Sequence, residues 1–231
     1  MPAIIFKNVE KTYENKYGSF TALKDVSLAI QSGEFVCIIG KSGAGKTTFT
    51  RLIYAKELPT NGAVYFGKRN TANVKSKHLP FFRRNFGAVF QDFKLLSQKT
   101  VYENVAYAME LVGRSNEDIE NEVPKILEIA GLKGKENTYP KNLSGGEKQK
   151  TSLARAIINN PDVIVADEPT GNLDPVSSWE IVELLLKINK LGTTVILATH
   201  DKAVVDKLDK RVVTIQDGRL ISDVVHGKYN S

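Results

Sequence analysis

Two hydrophobic rhythms run through this chain. Phe35-Val-Cys-Ile-Ile39, Gly87-Ala-Val-Phe90, Asp162-Val-Ile-Val-Ala-Asp167 and Thr194-Val-Ile-Leu-Ala-Thr199 are apolar almost throughout. Short runs of that kind, bounded by polar residues or glycine, predict strands buried on both faces, as in a parallel sheet. Residues 4–9 and 22–30 also read as strands, with the polar residues 14–19 as the loop between them. Asn61-Gly62 marks a turn before a short strand over 63–66, and residues 68–78 are polar and basic enough to form a surface excursion. After Gln91 the period lengthens: Val101, Val105, Ala108 and Val112 fall on one helical face, and Ile119, Val123, Ile126, Leu127 and Ala130 on another. Gly131 and Gly134 break that pattern. Residues 179–190 predict a packed helix with Trp179 in the core, and residues 211–215 and 219–223 a closing hairpin about Asp217-Gly218.

Composition changes this picture little. The chain has 231 residues, 42% of them hydrophobic, enough to bury a substantial core. No apolar stretch approaches the ~20 residues that cross a bilayer, and residues 1–7 lack the layout of an export signal. The single cysteine, Cys37, falls inside a predicted buried strand, which suits packing and a reducing compartment. The net charge of +6 suits an anionic membrane surface or nucleic acid, but the 32 basic residues read as scattered, favouring an ordinary solvated surface.

Candidate chemistry gathers where apolar runs end. Gly40-Lys41-Ser42-Gly43-Ala44-Gly45-Lys46-Thr47-Thr48 lies between a predicted strand and a predicted helix. Three glycines let successive amides converge on an anion at the helix start. Lys46 then supplies charge to the β and γ phosphates and Thr47 a hydroxyl for magnesium. Asp167 ends a buried strand and Glu168 follows it; paired acids there are awkward without a cation. Asp167 is thereby expected to hold magnesium through water, and Glu168 to orient or deprotonate the attacking water. His200 repeats the position of Asp167 at the next strand end, suited to a polar contact with a γ-phosphate. Ser144-Gly145-Gly146-Glu147 has capping-box spacing; it is either a second anion site or simply a well-capped helix. Tyr13 either covers the core edge or stacks on a nucleobase.

With the phosphate loop, Gln91, residues 143–147, 163–168 and His200 in this order, the chain resembles the ATP-binding subunit of ABC transporters over essentially its whole length. The resemblance implies an α/β fold: a P-loop NTPase (RecA-like) core with an N-terminal antiparallel β part and an inserted α-helical subdomain. Within one nucleotide-binding domain, residues 1–91 and 159–231 are then the core and 92–158 the helical subdomain with the signature. It further implies Tyr13 as the adenine-stacking aromatic, Gln91 as a contact to magnesium and water, and Ser144 to Glu147 as the signature. Gly171-Asn-Leu-Asp174 becomes the D-loop, and the cofactors are ATP and Mg2+. Two copies are expected head to tail, each ATP held between one phosphate loop and the other copy's signature, so that hydrolysis loosens the contact.

Gln91-Asp-Phe-Lys-Leu-Leu96 and Thr100-Val-Tyr-Glu-Asn-Val-Ala106 look most like the cell-division branch of that family. There the ATPase works with an integral membrane protein of the FtsX type to control cell-wall hydrolases. That implies peripheral association with the cytoplasmic face of the bacterial plasma membrane and no direct contact with nucleic acid. Residues 167–174 are shared with lipoprotein-release and macrolide-export relatives, so an exporter ATPase is the alternative. A soluble relative acting on DNA or ribosomes would need a coiled-coil insert or a second nucleotide domain. Lys148, Lys150 and Ser97 depart from common family choices without removing a group needed for hydrolysis. Residues 79–84 with Phe93, Leu95 and Leu96 form a candidate groove for a cytoplasmic helix of the partner.

Overall fold

The computed structural model describes residues 2–16 and 18–229. Its first two strands, β1 (Pro2–Asn15) and β2 (Gly18–Gln31), form a long antiparallel hairpin. The expected loop over 14–19 is far tighter: Glu14 pairs with Ser19 and Asn15 with Gly18, so cross-strand bonding overrides the polar composition. β4 (Asn61–Phe66) adds to the free side of β1 and carries the two-residue β5 (Arg69–Asn70), giving the order β2-β1-β4-β5. Asn61-Gly62 is not a turn but the start of β4, opposite an irregularity in β1. Gly62 has φ 76°, and a Cβ there would lie 2.1 Å from the carbonyl oxygen of Asn8, so only glycine admits this approach.

The second sheet contains β3 (Phe35–Ile39), β6 (Phe86–Phe90), β7 (Val163–Asp167), β8 (Thr194–Thr199), β9 (Arg211–Gln216) and β10 (Arg219–Val224). Its order is β10-β9-β3-β8-β7-β6, parallel except for the β9–β10 hairpin. β3 and β8 are buried at every position, as their unbroken apolar runs predict. β6 is an edge strand, and only Gly87 and Val89 are fully buried, so the expectation of a buried strand holds for one face only.

Seven helices are described: α1 (Lys46–Ile53), α2 (Leu79–Arg83), α3 (Val101–Glu110), α4 (Asn116–Ile129), α5 (Gly145–Ile157), α6 (Pro175–Lys190) and α7 (Lys202–Leu208). One core fills the space between the two sheets around α1, where Phe6 and Phe49 stack with ring centroids 4.3 Å apart. A second packs α6 and α7 on the other face of the parallel sheet. The third draws only on residues from Val101 to Ile158, in α3, α4, α5 and the segments beside them. Val112 lies beyond the end of α3, and Met109 takes the core position expected of it. Trp179 is half-buried against the second core, with the Lys207 ammonium 3.5 Å from its ring centroid.

Candidate functional site

Strand register brings the chemistry together. Ile39 is level with Thr199, Asp167 with Ala198, and Phe90 with Asp167. The residues that follow these strand ends therefore meet along one edge of the sheet, which is where open α/β sheets bind ligands.

The loop after β3 turns into α1 through glycines at φ 154°, 81° and 110° for Gly40, Gly43 and Gly45. Gly45 is the N-cap of α1, and a Cβ there would meet the Ala22 carbonyl oxygen at 2.5 Å. No side chain caps this helix, so its leading amides stay available to an anion. Lys46 is buried, 6% exposed. Its ammonium donates to the Gly40 and Lys41 carbonyls at 2.7 and 3.3 Å and lies 3.2 Å from Glu168 Oε1. The loop thus orients its own cation toward the acid that follows β7, beyond the intervening β8.

Thr47 Oγ1 donates to Asp167 Oδ1 at 3.3 Å, and Thr50 Oγ1 to Oδ2 at 3.5 Å. Burial, and after it the charge of Glu168, pushes the Asp167 carboxyl above its usual pKa, against the pull of the Thr47 hydroxyl. Glu168 occupies a left-handed turn (φ 50°), its amide held by the Ala198 carbonyl at 2.8 Å. A non-glycine residue in that region is strained, and strain of this kind is characteristic of functional turns. Its Oε2 accepts from the His200 amide at 3.3 Å and lies 2.8 Å from His200 Nδ1. Lys46, Asp167, Glu168 and His200 are therefore one connected set.

Gln91 joins this set from the end of β6. Its side-chain amide donates to Asn172 Oδ1 at 3.3 Å, and Asn172 Nδ2 returns a bond to the Gln91 carbonyl at 3.2 Å. Gly171 makes room for it: a Cβ there would lie 2.8 Å from Gln91 Nε2. Lys41, Ser42, Gly43, Gly45, Lys46, Thr47, Thr48, Gln91, Glu168 and His200 all line one open cavity of about 740 Å3.

Besides Gly40, Ala44 and Asp167, three expected residue sets lie outside that cavity lining. Ser144 caps α5 with both arms of a capping box: its hydroxyl accepts from the Glu147 amide at 3.2 Å, and Glu147 Oε2 accepts from the Ser144 amide at 2.9 Å. That amide bond, with Lys135 at 3.1 Å, holds the Glu147 carboxyl below its usual range. Asp174 caps α6, accepting from the amides of Val176 and Ser177 at 3.0 Å each. Tyr13 has its hydroxyl 3.4 Å from Thr48 Oγ1 and the Lys11 ammonium 4.8 Å from its ring centroid.

Known proteins resemble this chain in sequence and fold. Residues 23–171 match the ABC transporter family. Over 228 residues the chain is 48% identical to the cell division ATP-binding protein FtsE of Bacillus subtilis, the match covering 99% of each. Its identity to the protein of that name from Mycobacterium tuberculosis is 49% over 226 residues, covering 98% of this chain and 97% of the other. The fold is similar to the dimeric structure of MJ0796, a bacterial ABC transporter cassette, with a TM-score of 0.89 at 37% identity, over 98% of this chain and 100% of that one. The chain belongs to the ABC transporter family.

As an ABC cassette it binds and hydrolyses ATP. Phe20, Ala22 and Tyr229 also line the cavity and were not anticipated. Phe20 pairs across the β1–β2 hairpin with Tyr13 and, 61% exposed, forms part of the cavity wall. The hairpin register would have located it, but that register depends on the unexpectedly tight turn. Tyr229 comes from far along the chain, with its amide donating to Asp206 Oδ1 at 2.7 Å, and no local pattern announces it.

The site suits magnesium by its donor set. Thr47 and Asp167 offer hard oxygens at one point, while the described residues contain no group of three or more His, Cys, Asp or Glu side chains able to hold a metal alone. That favours an ion carrying phosphate and water ligands over one caged by protein. A cation there would also favour the ionised form of Asp167 that burial opposes.

Proposed function

We propose that this cassette is the ATPase subunit of a bacterial cell-division complex of the FtsEX type. The observation that carries the reading is identity: the FtsE proteins of Bacillus subtilis and Mycobacterium tuberculosis are 48% and 49% identical to this chain, whereas MetN 2, a methionine import ATP-binding protein of Enterococcus faecalis, is 41% identical.

In this reading two copies close head to tail on ATP. Amides of residues 40–48 and the Lys46 ammonium hold the phosphates, and Tyr13 approaches the adenine. Ser144 to Glu147 of each copy, with Asp174, grip the terminal phosphate held by the other. Thr47, Gln91 and Asp167 hold Mg2+, which supplies charge neutralisation on the phosphates when bound. Glu168 takes a proton from the attacking water, and His200, joined to it through Nδ1, orients that carboxylate. Loss of the γ-phosphate removes the shared anion and opens the pair.

The helical part over 92–158 moves as a unit against the core formed by 1–91 and 159–231. It passes this motion to a membrane partner of the FtsX type, with which the cassette sits on the cytoplasmic face of the plasma membrane. No described helix is long and apolar enough to cross a bilayer, which fits attachment through a partner. The partner's cytoplasmic helix docks beside Phe93 and Leu96. Phe82 takes no part, because it is buried between Phe66 and Phe86. Extraction of the tagged protein from its native membranes in mild detergent tests the reading. A bound four-helix division protein supports it; a large permease or exporter in its place overturns it.

A further inference from the structure

The positive charge of this protein has one address. Between Leu58 and Gln91 lie six Lys and Arg residues and not one Asp or Glu, so the rest of the chain holds 26 basic and 26 acidic residues. Those 26 basic residues elsewhere are scattered, but they are balanced. The whole net charge of +6 belongs to a single acid-free segment.

That segment forms the outer edge of the molecule. It begins on β4, includes β5 at the edge of the antiparallel sheet, and ends on β6 at the edge of the parallel one. Between these strands the chain makes two 3-10 turns, Thr71–Asn73 and Ser76–His78, and then α2. Phe82 anchors the excursion, packing at 5.9 Å on Phe66 and 5.2 Å on Phe86. Arg83 and Arg84 tie it down further, donating to the carbonyls of Tyr54, Ala55 and Leu111.

Lys68, Arg69, Lys75 and Lys77 are all exposed, and among the described residues no carboxylate pairs with any of the six cations. Charged residues at a sheet edge discourage strand addition, which accounts for Lys68 and Arg69. It does not account for Lys75 and Lys77, which lie off the sheet. Beside them Phe81 is 61% exposed, an apolar ring standing among cations.

We propose that this basic face, Lys68, Arg69, Lys75, Lys77 and Phe81, binds the anionic headgroups of a phospholipid bilayer. Clustered cations concentrate at an anionic membrane surface within a Debye length, and an exposed aromatic adds apolar contact at the headgroup level. A lipid surface fits better than nucleic acid because the Arg84 guanidinium already sits 4.6 Å over the Phe81 ring, occupying a face that base stacking would need. Arg84 also reaches Leu111 at the end of α3, so the face borders the helical part of the cassette. Binding here would orient the cassette before any membrane subunit is engaged, and the inference does not depend on which subunit that is.

The test is co-sedimentation of the purified chain, without a partner, with phosphatidylcholine vesicles and with vesicles also containing phosphatidylglycerol. Selective binding to the anionic vesicles, declining as salt rises, is expected. Reversing Lys68, Arg69, Lys75 and Lys77 to Glu together should reduce partitioning on the order of a hundredfold, and Phe81→Ser a few-fold. Reversing the exposed Lys141, Lys187, Lys190 and Lys202 changes net charge equally and should weaken binding far less. An unchanged ATP-induced rise in Tm shows that both quadruple variants are folded. Equal binding to neutral vesicles, equal losses in the two variants, or wild-type binding to an oligonucleotide but not to anionic vesicles would each overturn the proposal.

Discussion

Arg155 holds the segment that follows Gln91. Phe93 and Lys94 both occupy left-handed backbone, at φ 59° and 49°, and the Arg155 guanidinium donates to their carbonyls at 3.1 and 2.8 Å. Burial pulls the guanidinium below its usual pKa, yet arginine remains charged in proteins. Two non-glycine residues in that region cost about 1 kcal/mol each, and a hydrogen bond from a charged donor contributes roughly 1.5–3 kcal/mol where water is excluded. The Lys94 contact is solvent-exposed and is discounted accordingly. Arg155→Ala should therefore destabilise the cassette by about 3 kcal/mol, and Arg155→Lys, with one donor point for two carbonyls, by about half that. Urea unfolding should show a lower midpoint at unchanged m. Steady-state ATPase on the folded variants separates two roles: loss of Gln91 placement lowers kcat and leaves KM nearly unchanged, whereas general damage moves both. A destabilisation below about 0.5 kcal/mol, within the range of ordinary surface substitutions, would refute the clamp.

Other consequences follow from the same geometry. Asp167→Asn should raise Tm while abolishing Mg-dependent hydrolysis, because the folded carboxyl has a raised pKa. Such a group costs stability as pH rises from its ordinary pKa through the raised one, so the gain should appear above that window and vanish below it, as thermal scans across pH would reveal. Lys46→Ala should weaken ATP binding roughly 10–100-fold by titration calorimetry, since one charged hydrogen-bonding group on the phosphates is lost. Gly171→Ala should leave urea stability nearly unchanged but lower kcat, because the added methyl displaces only the mobile end of Gln91; an unaltered kcat would argue against a role for that side chain.

What was legible in the sequence was local. The phosphate loop, the two acids at the end of β7 and the histidine after β8 announce themselves because each sits at the end of an apolar run whose length and composition fix a buried parallel strand. The capping box at Ser144 was equally readable, since its bonds span three residues. Long-range features were not. Arg211 is held by Glu34 and Asp223, the former 177 residues away, and nothing near either residue marks the pair. Gly62 mimicked a turn because an Asn-Gly pair has the same chemistry whether the chain reverses or two backbones merely touch. Charge misled by being counted residue by residue: basic residues are spread along the chain, and only the absence of acids near one edge reveals the patch.

The account rests on ATP joining two copies of this cassette. Sedimentation velocity of the Glu168→Gln variant in saturating Mg-ATP tests it most directly, because the substitution removes the proposed base and leaves the phosphate loop intact. A dimer that forms with ATP, not with ADP, and shows no turnover is the expected result. A monomer with ATP bound, or hydrolysis at the wild-type rate, would contradict it.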